Sequence, residues 1–375
     1  MRGHLRPRLD RAPDYWELVA ELPRDPLTRK RRRAVRSFRG TKRQAERALA
    51  ALVTEVDAGR RGGTSATVGA LLERWLDVAE LAVTTRRRYH GLVDLHIAPA
   101  LGTIALRRLE AAELDRFYRA LLDKGLAPAT VRQVHAVLRR ALGQAYRWGW
   151  VPANVATMAT PPKVVRPDIT PPSRGEAVRL IEAAGRWGDG TLGSWLHVAA
   201  TTGARRGELC GLRWADVDLE HGELLIERSV VEDDGRLLVK ATKTHAARRI
   251  ALDAGTLAVL EAHRARQLER SEAGETKLSA RAFVWSDELD GTRPWRPDRV
   301  SQAFRKLCAR EGVKGVRLHD LRHFAATELI AAGVDAVTVG GRLGHANSAV
   351  TLNVYSHFVR AADRDAADVL GKLLT

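Results

Sequence analysis

A proline-rich segment between residues 151 and 172 is the sequence feature that most limits how this chain can fold. Six of the 14 prolines lie in it, including the pairs Pro161-Pro162 and Pro171-Pro172. Proline lacks a backbone N–H and disfavours a helical conformation in the residue before it, so no long helix or strand can cross this segment. We therefore expect an interdomain linker here, and independent folding on its two sides.

Positive charge is concentrated in front of this linker. The chain has 62 Lys and Arg against 45 Asp and Glu, for a formal net charge of +17. Residues 1–63 carry 17 basic and 8 acidic residues, residues 64–163 carry 14 and 8, and residues 164–375 carry 31 and 29. Such a balance favours a polyanionic partner, and nucleic acid is the most common one. The distribution predicts basic binding modules ahead of a nearly neutral domain with another task.

Several classes of protein are not expected from this composition. There is no run of 18 apolar residues, and the first 30 residues are rich in Arg instead of forming an apolar signal core. Cys210 and Cys308 are the two cysteines and have no CxxC or His-rich neighbour, which predicts neither disulfides nor a zinc site. We expect a cytoplasmic protein, without a membrane span, metal or cofactor.

The first 63 residues predict a small basic ββ(β)α module. Strand-like patterns at 15–18 and 34–38 flank a basic run that ends in Arg31, Arg32 and Arg33, and a helix of about 16 residues follows from Lys42 to Asp57. A basic run of this kind can be a solvated loop. Strands that carry Arg between aromatic residues can also lie in a groove of DNA, so the three arginines are candidate DNA contacts.

Residues 64–163 predict a helical domain. Helical periodicity covers about 67–80, 84–98, 110–124 and 128–149. In the last of these, apolar residues recur on one face while arginines lie elsewhere, which fits either an ordinary solvated face or a clamp on a phosphate backbone. The candidate DNA contacts of this helix are Arg132, Arg139, Arg140 and Arg147.

Residues 164–375 predict a mainly helical domain with one small antiparallel sheet. A capping box of Ser173 and Glu176 begins a helix to about 185. The pattern then predicts a helix at 191–201, strands at 223–229, 236–242 and 248–252, and helices at 254–271, 297–311, 319–332, 335–343 and 347–358. No GxGxxG follows a strand, so a nucleotide-binding doubly wound domain is not expected.

Four short clusters in this last domain carry residues suited to chemistry. Taken singly, each has an ordinary structural interpretation, such as an ion pair at a helix start, an exposed hairpin lysine or a core tyrosine. The clusters are Thr-Gly-Ala-Arg-Arg-Gly-Glu-Leu at 202–209, Thr-Lys-Thr-His at 242–245, Leu-His-Asp-Leu-Arg-His at 318–323, and Leu-Gly-His at 343–345 with Tyr355 ten residues after His345. His319 and Arg322 are i and i+3 at a predicted helix start, where backbone N–H groups favour anions.

In this order and spacing the clusters resemble the tyrosine recombinases, the phage integrase family. Each motif is modest, but their succession across some 150 residues is specific. The resemblance extends to the helical segment 64–163, which is similar to that family's SAM-like core-binding domain. It also extends to 1–63, which looks like the arm-binding domain of integrases from phages and conjugative elements. The catalytic domain would then be 164–375.

The resemblance implies a role for each motif residue. Tyr355 would be the nucleophile that forms a 3′-phosphotyrosyl link, and Arg205 and Arg322 would hold the non-bridging oxygens of the phosphate. Lys243 would be the general acid for the leaving 5′-oxygen, although Lys240 lies three residues away. His319 and His345 would complete the pocket, one assisting proton transfer and the other binding the phosphate.

The function implied is site-specific DNA integration by strand exchange through a Holliday junction. Expected partners are double-stranded attachment sites, three further copies of the chain in a tetramer, and directionality or DNA-bending factors. The alternatives are a chromosome- or plasmid-dimer resolving recombinase, a type IB topoisomerase, and a non-catalytic DNA-binding regulator of the same fold. An amphipathic helix is expected at about 363–374, docked either on its own domain or on a neighbouring protomer.

Overall fold

The structure, a computed structural model, describes residues 3–8, 12–22, 31–57, 66–165, 171–242 and 247–344. The chain divides into two compact units between Arg166 and Pro167, inside the proline-rich segment. The boundary expected between residues 63 and 64 lies outside the described residues, as do the expected helices at 347–358 and 363–374.

The N-terminal module contains three strands and one helix. Strands β1 (Gly3–Pro7), β2 (Tyr15–Leu22) and β3 (Arg32–Arg39) form an antiparallel sheet in that order, and α1 (Lys42–Asp57) packs on one face. Strand β1 was not among the strands that the sequence pattern predicts, because Leu5 is the one partly buried residue of its five. Without an alternating apolar pattern, its pairing with β2 could not be anticipated.

A separate hydrophobic core holds this module together. Leu18 and Ala20 of β2 are fully buried against Ala45, Leu52 and Val56 of α1. These five residues of α1 and β2 thus meet in one layer between the sheet and the helix. The sheet's other face carries no helix among the described residues of the module.

The helical part of the first unit spans residues 66–165. Its core is built from one face of each long helix, and Leu71, Ile97, Leu114, Val134 and Leu138 are among its fully buried members. The elements are α2 (Val68–Val78), α3 (Val83–Leu92), a π-helical turn (Val93–Ile97), α4 (Ala98–Leu101), α5 (Ala111–Asp123) and α6 (Pro128–Arg147). The helix expected over 84–98 is therefore interrupted by the π-helical turn.

The second unit starts with helices and then forms two small sheets. Helix α7 (Arg174–Gly185) begins with the expected capping box, and α8 (Thr191–Thr202) and α9 (Arg206–Cys210) follow. The strands are β4 (Val217–Asp218), β5 (Glu223–Ile226), β6 (Arg228–Asp233), β7 (Arg236–Ala241) and β8 (Arg248–Ala251). Their orders are β4-β5-β8 in one sheet and β6-β7 in the other.

The expectation of one strand over 223–229 was wrong. The chain changes sheets at Glu227, so that β5 pairs with β8 while β6 pairs with β7. Leu224, Ile226 and Val230 are all buried and keep the period of two across the break. Alternation reports which face of a strand is buried but not which strand lies beside it, so the sequence pattern could not locate the change of partner.

Four helices complete the described part of the second unit: α10 (Ala254–Ala273), α11 (Pro297–Arg310), α12 (Asp320–Ala331) and α13 (Ala336–Leu343). Trp195, Trp285 and Phe304 are its largest fully buried side chains. The expected fold class is confirmed: the chain is mainly helical with small antiparallel sheets. No helix in the described ranges is long and apolar enough to cross a membrane.

Candidate active site

The structure brings Arg205 and Arg322 together at the end of α13 and places His319 close enough to feel the charges of both. Arg205 and Arg322 both donate to backbone carbonyls in the last residues of that helix and its cap, and the charges of both act on the His319 imidazole. Lys243, His345 and Tyr355 lie outside the described residues. Their places in the site stay predictions.

A glycine turn delivers Arg205 to the site. Gly203 ends α8 with φ of 63°, in the left-handed region that glycine adopts without strain. A Cβ added to Gly203 would also overlap the side chain of Leu343. The turn therefore needs glycine both for its backbone angle and for close approach to α13, and it places Arg205 at the N-cap of α9.

Arg205 is held by a buried carboxylate. Its Nη1 donates to Oε1 of Glu208 at 2.8 Å, and its backbone N–H donates to Oε2 at 2.9 Å. Glu208 is only 2% exposed. Because two bonds join the same two residues, both the guanidinium and the backbone of Arg205 are fixed relative to α9.

A second arginine, Arg248 at the start of β8, reaches the same carboxylate. Its Nη2 donates to Oε2 of Glu208 at 2.7 Å. Burial acts to raise the pKa of Glu208, but the hydrogen bond and charge of Arg248, together with the backbone and side-chain hydrogen bonds from Arg205, outweigh burial and leave that pKa below its usual value. Glu208 is therefore a carboxylate that holds two guanidinium groups side by side.

Arg322 lies in the first turn of α12 and is 5% exposed. Its Nη1 donates to the carbonyl of Gly203 and to the carbonyl of Leu343, both at 2.7 Å. The side chain thus joins three elements, since it bridges the end of α8 and the end of α13 from the start of α12. Helix packing and these two bonds orient the guanidinium.

Three consecutive carbonyls at the end of α13 accept from three different arginines. The carbonyl of Arg342 accepts from Nε of Arg248 at 3.0 Å, that of Leu343 from Arg322, and that of Gly344 from Nη2 of Arg205 at 2.8 Å. The last carbonyls of a helix have no partner within it and mark its negative end, so cations are favoured there. We call this set the carbonyl cap; the next residue in the chain is His345.

His319 is neutral in this environment. It precedes α12, and its ring lies 5.2 Å from that of His323 in an edge-to-face arrangement. Burial, the neighbouring His323 and then the charge of Arg322 lower its pKa to about 4, and Arg205 adds to this effect. A neutral imidazole can donate from one nitrogen and accept at the other, which suits proton transfer.

A cavity of about 390 Å³ borders the site. His319 and Arg322 contribute to its wall, together with Trp195 of α8 and the cations Arg206 and Arg305. Arg206 donates to Asp298 at 3.0 Å and to Ser301 at 2.6 Å, both on α11. The two adjacent arginines therefore have different surroundings: Arg205 meets the carbonyl cap, and Arg206 meets α11.

The candidate DNA contacts of the N-terminal module divide between two faces of its sheet. Arg33 and Arg31 are exposed, and the register places Arg33 opposite Glu21 on the face away from α1. Arg32 pairs with Leu22 at the end of the strand on the helix side and is partly buried. Side chains alternate along a strand, so three successive arginines cannot share one face.

The four candidate arginines of α6 are exposed and lie within an arc of about 100° on that helix. The buried residues of α6, including Val134 and Leu138, occupy the opposite arc. Arg140 donates to the Tyr89 hydroxyl of α3 at 2.6 Å, and its guanidinium lies 5.9 Å from the ring centre. Arg132 donates to the carbonyl of Pro162 at 3.4 Å.

Sequence reasoning missed the basic residues of α3. Arg87 and Arg88 are exposed on that helix, next to the Tyr89 that Arg140 contacts. Arg86 points inward instead, where it donates to the carbonyls of Leu76 and Ala79 at the end of α2. The run of three arginines before a tyrosine was the available signal.

Sequence reasoning also missed Arg248. Strand alternation places it on the same face as Ile250, which is 1% exposed, whereas Arg249 between them is exposed. An arginine at a strand position that faces the core needs a buried partner, and this was the signal that could have identified it. Within the described ranges no group of three His, Cys, Asp or Glu residues is arranged to hold a metal ion.

Comparison with known proteins identifies the family of the chain. The phage integrase family matches residues 175–361. A tyrosine recombinase XerC-like protein of Caldanaerobacter subterraneus is 26% identical over 96% of both chains, and the ICEBs1 integrase of Bacillus subtilis is 25% identical over 93% of this chain and 95% of its own.

Solved structures share the fold. A Tn1549 transposon integrase in complex with a circular intermediate DNA superposes with a TM-score of 0.67 at 17% identity, covering 80% of this chain and all of the other. A lambda integrase dimer bound to a COC′ core site has a TM-score of 0.59 at 19% identity, covering 93% of each chain. The chain thus carries a phage integrase family domain over residues 175–361 and belongs to the tyrosine recombinases.

Proposed function

We propose that this protein is a site-specific DNA recombinase that integrates a mobile element by cleaving and rejoining strands at attachment sites. The observation that carries the proposal is the convergence of Arg205 and Arg322 on Leu343 and Gly344, directly before His345 in the chain, with His319 within range of both charges. Family membership supports the reaction class, and the integrases among the relatives support the type of element.

In the proposed reaction the Tyr355 oxygen attacks the scissile phosphorus, and the bond to the 5′-oxygen breaks. The products are a 3′-phosphotyrosyl link and a 5′-hydroxyl that has gained a proton. The 5′-hydroxyl of the partner strand then attacks the same phosphorus and releases Tyr355. The number of phosphodiester-type bonds is conserved, so the exchange needs no nucleotide cofactor, and two rounds proceed through a Holliday junction.

Arg205 and Arg322 would hold the two non-bridging oxygens of that phosphate. The planar guanidinium donates two parallel hydrogen bonds and suits a phosphate better than a point charge does. Bonds to Glu208 and to the carbonyl cap fix both groups before DNA arrives, and donors fixed in advance lower the cost of stabilising charge in the transition state. A third of the Arg205 side chain is exposed, which leaves it within reach of DNA.

Proton transfer would involve Lys243 and His319. Tyrosine has an unperturbed pKa of about 10, so it needs a group that accepts its proton near neutral pH. A neutral His319 is competent to accept one, and phosphate binding would raise the pKa of His319 from about 4 because an anion favours the imidazolium. Lys243 would protonate the leaving 5′-oxygen, and His345 would bond the phosphate.

Two basic surfaces of the first unit would hold the DNA. One is the arginine arc of α6 with the neighbouring Arg87 and Arg88, which would contact the core site. The other is the open sheet face of the N-terminal module, which includes Arg33 and would bind arm sites. An arm module favours an integrase over a dimer-resolving recombinase.

Assembly would follow the arrangement described for relatives. A lambda integrase structure is a tetramer bound to a Holliday junction, and we propose a homotetramer on DNA here as well. Directionality or DNA-bending factors would act with it. Work on DNA inside a bacterial cell would place the protein in the cytoplasm, associated with the nucleoid while bound.

The test is a strand-cleavage assay on a nicked duplex that carries the core sequence. Short repeats at the two ends of the element around the gene supply that sequence. The wild-type protein should form a covalent adduct and still do so in EDTA, and Arg322→Ala should form it orders of magnitude more slowly. DNA binding without any adduct from the wild-type protein would favour a non-catalytic regulator, and a strict metal requirement would contradict the proposed chemistry.

A further inference from the structure

Arg248 contacts both the carboxylate that holds Arg205 and the carbonyl cap at the end of α13. Its Nη2 bonds Glu208, the carboxylate that holds Arg205, while its Nε bonds the carbonyl of Arg342 in the carbonyl cap. Its side chain is 12% exposed. One rigid guanidinium therefore spans the distance between the support of Arg205 and the helix end that precedes His345.

The turn at Gly344 is shaped around this guanidinium. Gly344 has φ of 70°, and an added Cβ would lie 2.8 Å from Nη1 and 2.9 Å from the central carbon of Arg248. A real Cβ does not approach other atoms that closely, so glycine at 344 is needed for Arg248 to reach its two partners. The same glycine carbonyl accepts from Arg205.

We propose that Arg248 is a positioning residue that keeps Arg205 in register with the segment carrying His345 and Tyr355. This inference rests on the proposed recombinase function. Arg248 acts through Glu208 and the carbonyl of Arg342, and its donors are directed at those two groups in the described part of the chain. Without it, Glu208 keeps Arg205 as its partner, but the pair loses the second of its two links to the end of α13 and retains the bond from Arg205 to the Gly344 carbonyl.

Arg248 would affect the reaction rate through the positions of the catalytic groups. Catalytic groups must meet the phosphate within a few tenths of an ångström, and a displacement of about 1 Å can cost about a hundredfold in rate. The carbonyl cap has three bonds, and Arg248 supplies the one that does not come from a phosphate-binding arginine. It therefore can hold the helix end while Arg205 and Arg322 bind DNA.

The experiment separates rate from affinity. Full-length Arg248→Gln is compared with wild type for DNA affinity and for the single-turnover rate of adduct formation at saturating DNA. The matched control is Arg249→Gln, the next residue of β8, which is exposed and paired with Glu223 at 3.1 Å. We expect Arg248→Gln to slow adduct formation about tenfold to a hundredfold with DNA affinity within about twofold of wild type. Arg249→Gln should match wild type in both.

A conservative variant and a double variant distinguish a positioning role from a purely structural one. Arg248→Lys keeps the charge and the reach to Glu208 but lacks the fork that bonds two acceptors, so it should restore part of the rate. If Arg248 acts through Glu208, then the Arg248→Gln substitution should slow the reaction less in a Glu208→Gln background than it does in the wild-type protein. Thermal unfolding is measured for each variant.

The outcomes are distinguishable. A wild-type rate in Arg248→Gln, or a loss of DNA affinity as large as the loss of rate, would overturn the inference. Should Arg248→Gln unfold, Arg248→Lys decides: a slowed rate with wild-type affinity supports the role, and a wild-type rate overturns it. Failure of the wild-type protein itself to form any adduct would instead contradict the proposed function.

Discussion

Arg322 donates to the carbonyl of Gly203 at 2.7 Å across 119 residues of sequence. The same nitrogen donates to the carbonyl of Leu343. Gly203 belongs to the turn that leads to Arg205, so the position of Arg322, one of the two arginines proposed to bind the phosphate, is defined partly by the loop that carries the other. A change in that loop is expected to disturb both.

Replacement of Gly203 by alanine tests this dependence. Alanine at φ of 63° is strained by about 1–2 kcal/mol, and overlap with Leu343 adds a further penalty of about 1–3 kcal/mol. We expect a lower free energy of unfolding and slower adduct formation, measured by urea unfolding and the nicked-duplex assay. The control is Gly312→Ala, because Gly312 has φ of 69° but nothing within 4 Å of an added Cβ. Equal losses in the two variants would contradict the role of close packing at Gly203.

The titration of His319 reports on the anion site. In DNA-free protein its imidazole should protonate only near pH 4, since burial and neighbouring cations disfavour the charged form. With DNA bound, the phosphate should raise its pKa towards neutrality. Carbon-bound proton shifts of His319, assigned with His319→Gln and followed by NMR with and without DNA, measure both values. An identical pKa in the two states would place the phosphate elsewhere.

A buried histidine should make the second unit sensitive to acid. His263 is stacked on Trp285, and its Nε2 donates to the carbonyl of Val284 at 2.7 Å. Its pKa is lowered to about 4, chiefly by burial. A pKa below the unfolded value of about 6.5 means that the unfolded chain binds the proton more readily. The stability from neutral His263 is then complete above pH 6.5 and is lost as the pH falls towards 4, by about 3 kcal/mol at most.

The measurement is the free energy of unfolding between pH 7.5 and pH 4.5, followed by tryptophan fluorescence because Trp214 and Trp285 flank the imidazole. In His263→Gln the loss of stability on acidification should be smaller than in wild type. His221→Gln, which removes an exposed imidazole of the same unit, is the matched control. A pH dependence in His263→Gln as steep as that of wild type would contradict the assignment.

The arginine arc of α6 should contribute to DNA binding in a salt-dependent way. Arg139→Ala should weaken binding to all sequences and reduce the slope of log affinity against log salt concentration by about 1, since one phosphate contact is lost. Fluorescence anisotropy at several salt concentrations measures the slope. Arg116→Ala on α5, an exposed arginine outside the arc, is the control. An unchanged slope in Arg139→Ala would remove α6 from the interface.

Much of this architecture could be predicted from the sequence because it depends on local patterns. Helical periodicity and the capping box at Ser173 and Glu176 identified most helices, and the proline-rich segment indicated where the two units divide. The ion pair of Arg205 with Glu208 followed from their spacing of three residues. Such features can be predicted because they depend only on residues that are close together in the sequence.

The features that sequence reasoning missed depend on partners far apart in the chain. The change of sheets at Glu227 needs knowledge of which strands lie beside β5 and β6. The contact of Arg248 with Glu208 joins residues 40 apart, and that of Arg205 with Gly344 joins residues 139 apart. Periodicity can indicate that Arg248 faces inward, but only the tertiary fold specifies what it meets there.

The central claim is that Tyr355 is the nucleophile of a metal-independent strand transfer. The most direct measurement is mass spectrometry of the peptide that remains linked to a nucleotide after wild-type protein reacts with a nicked core duplex in EDTA and is digested. We predict one modified peptide with the nucleotide on Tyr355, and none from Tyr355→Phe, which should still bind the DNA. A nucleotide on any other residue, or an undiminished adduct from Tyr355→Phe, would contradict this account.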